Sequence, residues 1–122
     1  MLVYRGVQHI DAIAPDPHEN VAISWHPYEF KCKDFECQSD TTKSNSRFPL
    51  FITEWAPDNN PPKPNKYSNA MLAFAGASNG TVHLFPWTWA PSSGYNRLIG
   101  QDSDWYGSGP TAWGKSYRDW KP

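Results

Sequence analysis

The chain has 122 residues, a formal net charge of −1 and no run of basic residues, which argues against the basic surface that a nucleic-acid partner requires. No stretch predicts a membrane span or a cleavable signal peptide, and the length fits one domain over residues 1–122. Aromatic residues make up 16% of the chain, including seven Trp. We expect their rings to form much of the core and to line a groove, because Trp and Tyr stack on sugar faces and other flat ligands.

Four apolar segments predict strands, at residues 2–7, 20–26, 49–55 and 81–88. Polar and proline-containing segments separate them, and the intervals 29–47 and 92–109 are predicted to be long loops. Apolar residues at helical spacing predict one helix at 66–77, which Ser78-Asn79-Gly80 ends, and another at 111–120. This order of elements predicts an α/β fold with parallel strands.

Polar or aromatic side chains follow each predicted strand: His9, then His26 and Tyr28, then Glu54 and Trp55, then Trp87 and Trp89. Functional residues gathered at the carboxyl ends of successive strands are typical of the catalytic face of a (β/α) barrel. Four strands are half of such a barrel. We therefore expect a partial, half TIM-type barrel of about four parallel strands, with two helices and long loops.

Three motifs carry a resemblance to a known family: His26-Pro27-Tyr28, Thr53-Glu54-Trp55 and Trp87-Thr88-Trp89. In this order, they resemble the last strands of retaining glycoside hydrolases of the family 5 cellulase type. The resemblance implies that Glu54 is the nucleophile and that Tyr28 hydrogen-bonds to it. It places His26 toward the acid/base side of the site, and a β-glucan or cello-oligosaccharide on Trp87 or Trp89. His9 and Trp55 are further candidate substrate contacts, no cofactor or metal is expected, and both Trp87 and Trp89 remain candidates for the core as well.

The family's acid/base residue is a second Glu that follows an Asn, and the chain contains no Asn-Glu pair. Retaining hydrolysis needs a second carboxyl about 5 to 5.5 Å from the nucleophile. Glu29, Asp58 and Asp102 are the candidates to replace it. Two other functions stay open: a non-catalytic carbohydrate-binding remnant, and a half-barrel that forms its site with a second copy or a missing half, because its terminal strands would otherwise be bare edges.

Cys32 and Cys37 are separated by four residues. A structural zinc site needs four ligands, and no second pair of His or Cys follows these two cysteines. We expect a small loop disulfide between Cys32 and Cys37 if the protein is made in an oxidising compartment, with two free thiols as the alternative. Asn79-Gly80-Thr81 matches the acceptor pattern for N-glycosylation. Together, these features favour a secreted protein.

Overall fold

The computed structural model describes residues 17, 21–28, 48–59, 61–89, 97–100 and 109–120. Within them lie strands β1 (Ile23–Trp25), β2 (Leu50–Ile52) and β3 (Val82–Leu84), and helices α1 (Lys66–Gly76) and α2 (Ala112–Asp119). The strands form one parallel sheet in the order β1-β2-β3. The predicted α/β class, the parallel pairing and both helices are confirmed. The described sheet has three strands and is far from a full barrel, and the predicted strand at 2–7 lies outside the described residues, as does His9.

Each strand is shorter than the apolar segment that predicted it. The ladder covers three residues per strand, although single backbone bonds continue just beyond it, from Thr53 N to Trp25 O at 3.1 Å and from Phe85 N to Ile52 O at 2.8 Å. Backbone hydrogen bonding therefore continues one residue past β2 and β3, and the chain bends at Glu54. This is the point at which the candidate functional residues begin.

One face of the sheet packs on α1. The inward side chains of the sheet, Ile23, Leu50, Ile52 and Leu84, join Tyr67, Met71, Leu72 and Ala75 of the helix in one buried cluster. The helix begins with a capping box, in which the Asn65 side chain accepts from Ser68 N at 2.9 Å and Ser68 Oγ accepts from Asn65 N at 2.9 Å. These two bonds satisfy donors that a helix start leaves unpaired. Capping and an apolar face together explain why this segment is a helix.

Helix α2 packs beside the end of β2. Its N-cap residue, Thr111, accepts from Gly114 N at 3.0 Å. The buried ring of Trp113 meets Trp55 edge-on with centroids 4.8 Å apart, and the Tyr117 hydroxyl donates to Leu84 O at 2.9 Å. A Cβ on Gly114 would lie 1.8 Å from Leu98 O, so only glycine permits this approach.

The other face of the sheet carries aromatic rings that do not belong to the helix-packed core. Phe51 lies 4.7 Å from His83 and 6.0 Å from Phe85, measured between ring centroids. Phe85 is 50% exposed. Strand side chains alternate between faces, which accounts for this second cluster opposite Leu50 and Ile52. Among the described residues, neither helix is long and apolar enough to cross a membrane.

Candidate functional site

Tyr28, Glu54 and Trp87 each follow one of the three strands, so they lie together at the carboxyl end of the sheet. Tyr28 Oη donates to Glu54 Oε2 at 3.0 Å, and His26 Nδ1 lies 3.5 Å from the same oxygen. Trp87 is adjacent in the backbone, because its N–H donates to Trp55 O at 2.9 Å. The predicted hydrogen bond between Tyr28 and Glu54 is therefore present, and Glu54 and Trp87 lie at the same end of the sheet.

The Glu54 carboxylate is partly open to solvent. Its side chain is 32% exposed and that of His26 is 20% exposed. Both contacts to the carboxylate use Oε2. The two polar neighbours therefore fix the group through one oxygen while a ligand retains access to the site.

His26 is oriented by two hydroxyl groups that the sequence reasoning missed. Its Nε2 lies 2.8 Å from Thr53 Oγ1, and Thr53 Oγ1 lies 2.6 Å from Ser24 Oγ. In the tautomer with the proton on Nδ1, the ring points that N–H toward Glu54 and Nε2 accepts from the Thr53 hydroxyl. The sequence did contain an indication of these groups, because Ser24 and Thr53 are polar residues inside two apolar segments that predict strands.

Tyr67 on α1 holds the backbone between His26 and Tyr28, the two candidate residues of the first motif. Its hydroxyl donates to the carbonyl of Pro27, and both Tyr67 and Pro27 are buried. The helix thus fixes the segment that presents His26 and Tyr28. The helical spacing predicted that Tyr67 is packed, but it gave no indication of this anchoring bond.

The three candidate tryptophans have two different environments. Trp87 and Trp89 are 45% and 49% exposed, whereas Trp55 is 0% exposed. Trp55 packs against Trp113, and so it has no open ring face for a sugar. The expectation that Trp55 contacts substrate is corrected accordingly: Trp55 is a core residue, because the backbone bends at Glu54 and the indole that follows packs in the buried cluster with Ile52 and Trp113. The Trp87–Thr88 peptide bond is cis.

The second carboxyl that retaining chemistry needs is not identified by the described residues. Their carboxylates are Glu54, Asp58 and Asp119; Asp58 is exposed, and Asp119 pairs with Arg118 at 3.0 Å on α2. The part of the chain that the structure describes holds no group of three or more His, Cys, Asp or Glu suited to a metal ion. His9, Glu29, Cys32, Cys37 and Asp102 lie outside the described residues.

Comparison of the chain with protein-family models and with curated proteins finds no match. The local geometry and the spacing of the motifs are therefore what support an assignment of function. That geometry is a held, accessible carboxylate at the same end of the sheet as the exposed Trp87, with the exposed Trp89 two residues further along the chain. Chemically, such an arrangement suits a nucleophile next to a surface for a flat, partly apolar ligand.

Proposed function

We propose that the chain is a retaining glycoside hydrolase for β-linked glucans of the cellulose type, with Glu54 as its nucleophile. The observation that carries the proposal is the 3.0 Å hydrogen bond from Tyr28 Oη to Glu54 Oε2, at an edge where Trp87 is 45% exposed. A phenol donor stabilises the negative charge of a carboxylate and restricts its rotation. Because both polar contacts use Oε2, we assign the attack to Oε1.

The reaction follows from these roles. Glu54 Oε1 bonds to the anomeric carbon while the bond from that carbon to the leaving oxygen breaks, and the leaving group departs with the electron pair. Water then attacks the same carbon and gives its proton to the group that acted as the acid. The ester bond breaks with its electron pair returning to the Glu54 carboxylate, and the sugar leaves with its original anomeric configuration. The indole faces of Trp87 and Trp89 support the sugar rings during both steps.

Proton donation to the leaving group is assigned to Glu29, Asp58 or Asp102. General acid assistance is typically worth about 10²- to 10⁴-fold. If the donor is poorly placed, turnover of a cello-oligosaccharide is slow, because a sugar hydroxyl leaves badly without a proton. A dinitrophenyl cellobioside is then the better substrate, since its leaving group departs as a stable phenolate. Equal and rapid turnover of both substrates would indicate a well-placed acid.

The decisive experiment traps the covalent intermediate. A dinitrophenyl cellobioside with fluorine in place of the 2-hydroxyl reacts without an acid, and the fluorine slows hydrolysis of the glycosyl-enzyme. We expect the protein to gain the mass of one fluorocellobiosyl group, and peptide mapping to locate it on Glu54. Glu54→Gln removes the nucleophile and should abolish labelling, whereas Asp119→Asn removes an exposed carboxylate on α2 and should label at the normal rate.

Other outcomes would reject the assignment. Labelling of a different carboxylate, or unchanged labelling of Glu54→Gln, would contradict Glu54 as the nucleophile. Glucan binding without labelling and without release of reducing sugar would identify a carbohydrate-binding module instead. The exposed Trp87 and Trp89 rings would serve either function, so the labelling result decides between them.

One observation favours a second candidate, a half-barrel that forms its site with further strands. Phe51, His83 and Phe85 cluster on the sheet face turned away from the helices, which is the face that a closed barrel encloses. A second copy of the chain would cover these rings. Light scattering should then report a dimer, and Phe85→Ser should give a monomer that no longer reacts with the fluorinated substrate, whereas a reactive monomer of the native chain would exclude this candidate.

A further inference from the structure

The turn that follows α1 contains the sequence Asn79-Gly80-Thr81, the one Asn-x-Ser/Thr match in the chain. Three-residue matches arise often by chance, so its place in the structure decides its meaning. The turn lies between the end of α1 at Gly76 and the start of β3 at Val82. Asn79, Gly80 and Thr81 are all exposed, as an enzyme that modifies the Asn side chain would require.

The backbone at this turn leaves the acceptor residue open. Asn79 has φ 52° and Gly80 has φ 79°, and no atom lies within 4 Å of the position that a Cβ on Gly80 would occupy. Asn tolerates this left-handed conformation better than most residues. That preference suits an Asn at this position of the turn.

The hydrogen bonds of the turn are made by the neighbours of Asn79. Ser78 Oγ donates to Ala75 O at 2.6 Å and accepts from Val82 N at 3.1 Å, while Thr81 Oγ1 donates to Ser78 O at 2.8 Å. Among the described residues, no hydrogen bond uses the Asn79 side chain. Within the part of the chain that the structure describes, replacing one hydrogen of its amide nitrogen by a sugar therefore breaks no hydrogen bond.

We propose that Asn79 is an N-glycosylation site. The donor class is an oligosaccharide linked to a lipid through pyrophosphate. Asn79 Nδ2 forms a bond to the anomeric carbon of the first sugar, the bond from that carbon to the pyrophosphate oxygen breaks with its electron pair, and the amide gives up one proton. The product is a neutral glycosyl amide at the surface of the turn.

The glycan would lie away from the candidate active site. Asn79 precedes β3, whereas Glu54 follows β2, and the two parallel strands are paired in register. The three-residue ladder places the two ends of the sheet about 10 Å apart, at roughly 3.3 Å per residue. Glycosylation is therefore compatible with an open Glu54 site, and it does not depend on the proposed hydrolase function.

Translation of the full chain behind a cleavable leader, in an extract that contains microsomes, tests the proposal. Protease protection first identifies the chains that have entered the lumen, so that only those are scored. We expect them to migrate more slowly and to return to the unmodified position after treatment with a glycan-releasing amidase, which converts the modified Asn79 to Asp.

Matched variants separate the acceptor motif from the turn. Asn79→Asp keeps a residue that tolerates positive φ but lacks the amide nitrogen, and it should abolish the shift. Thr81→Val loses the hydroxyl and should abolish it too, whereas Thr81→Ser keeps the hydroxyl and should retain it. Protected chains without any shift, or a shift that persists in Asn79→Asp, would overturn the proposal.

Discussion

Two regions meet at the carboxyl end of the sheet, where one backbone hydrogen bond joins them, and they differ in how far their side chains are exposed to solvent. On the packed side, formed by Trp55, Trp113, Gly114 and Tyr117, the Trp55 ring is 0% exposed. On the open side, formed by Tyr28, Glu54 and Trp87, the Trp87 ring is 45% exposed. The link between them is the bond from Trp87 N to Trp55 O at 2.9 Å.

The comparison shows how a short sheet holds an exposed carboxylate in place. The backbone bends at Glu54, and the Glu54 side chain meets His26 and Tyr28 while the next side chain, that of Trp55, packs in the buried core. The buried indole packs on α2 and fixes the backbone from which Glu54 projects. We therefore expect substitutions on the packed side to lower stability, and substitutions on the open side to affect ligand chemistry while leaving the fold intact.

The largest expected effect is that of Trp55→Ala, which should lower the free energy of unfolding by about 3–5 kcal/mol, as removal of a large buried aromatic ring usually does. Chemical denaturation monitored by circular dichroism measures the loss. Trp87→Ala on the open side should change stability by less than about 0.5 kcal/mol and raise the KM for a cello-oligosaccharide roughly tenfold.

Trp55→Phe is the control that keeps an aromatic ring at this position. The Trp55 Nε1 atom is buried without a hydrogen-bond partner among the described residues, and an unsatisfied buried donor is unfavourable by about 1–3 kcal/mol. Phe removes that donor and keeps an aromatic contact with Trp113. It should therefore cost far less than Ala, and equal losses for the two variants would show that the ring does not pack as described.

The next largest effect is expected at Gly114. Gly114→Ala places a methyl group 1.8 Å from Leu98 O, and relieving such a clash requires α2 to move, at a cost of about 2–3 kcal/mol. Gly76→Ala is the matched control, because no atom lies within 4 Å of its Cβ position. In that helical position Ala should stabilise the protein by about 0.5–1 kcal/mol, so the two identical substitutions should shift the unfolding midpoint in opposite directions.

The sequence predicted the parts of this structure that depend on local patterns. Residues 66–77 were predicted to be a helix, and α1 spans Lys66–Gly76, because an apolar face and strong end signals agree there. The Tyr28–Glu54 bond was also predicted, although its source was the family resemblance. The order of apolar and polar residues placed Tyr28 and Glu54 at the ends of two strands, but it did not predict that their side chains form a hydrogen bond.

The sequence did not predict the features that depend on contacts between distant segments. Residues 92–109 were predicted to be a loop, but the burial of Leu98 and Ile99, which are 3% and 0% exposed, was not predicted. It depends on distant partners, since Leu98 O accepts from Thr111 N at 2.9 Å and Ile99 pairs with Pro110. Trp55 was expected at the substrate since it adjoins Glu54 in sequence, but the bend at Glu54 and the contact with Trp113 place its ring in the core. Ser24 and Thr53 were overlooked because strand periodicity ranks residues by hydropathy and carries no information about hydrogen-bond partners.

On the open side, Tyr28→Phe should slow labelling of Glu54 by the fluorinated cellobioside roughly tenfold. The substitution removes the hydroxyl that donates to Glu54 Oε2 at 3.0 Å. A hydrogen bond to a charged group contributes about 1.5–3 kcal/mol, and we expect the lower value here because the Glu54 side chain is 32% exposed and solvent screens its charge. Tyr117→Phe removes a phenol on the packed side and should leave the labelling rate unchanged. Equal rates for the native chain and Tyr28→Phe would mean that Tyr28 does not position the nucleophile.

The smallest expected effect is an alkaline loss of stability from Tyr117. Burial against Trp55, Trp113 and Trp120 raises the pKa of the Tyr117 phenol above its usual value of 10.0, since a phenolate would lose hydration there. Above about pH 10 the unfolded chain releases this proton while the folded chain keeps it. The folded state then binds more protons than the unfolded state, so the free energy of unfolding falls as pH rises.

Tyr117→Phe isolates this contribution, because every other titrating group is common to both proteins. The variant also loses the hydrogen bond to Leu84 O at 2.9 Å, which contributes a difference in stability that is independent of pH below about pH 9. We expect the stability advantage of the native chain over the variant to be constant up to that pH and to shrink as the pH rises beyond the ordinary phenol range. Urea unfolding of both proteins at closely spaced alkaline pH values measures it. A difference that stays constant throughout would show that the Tyr117 phenol is as well hydrated in the folded protein as in the unfolded chain, and that the packed side is open to water at its rim.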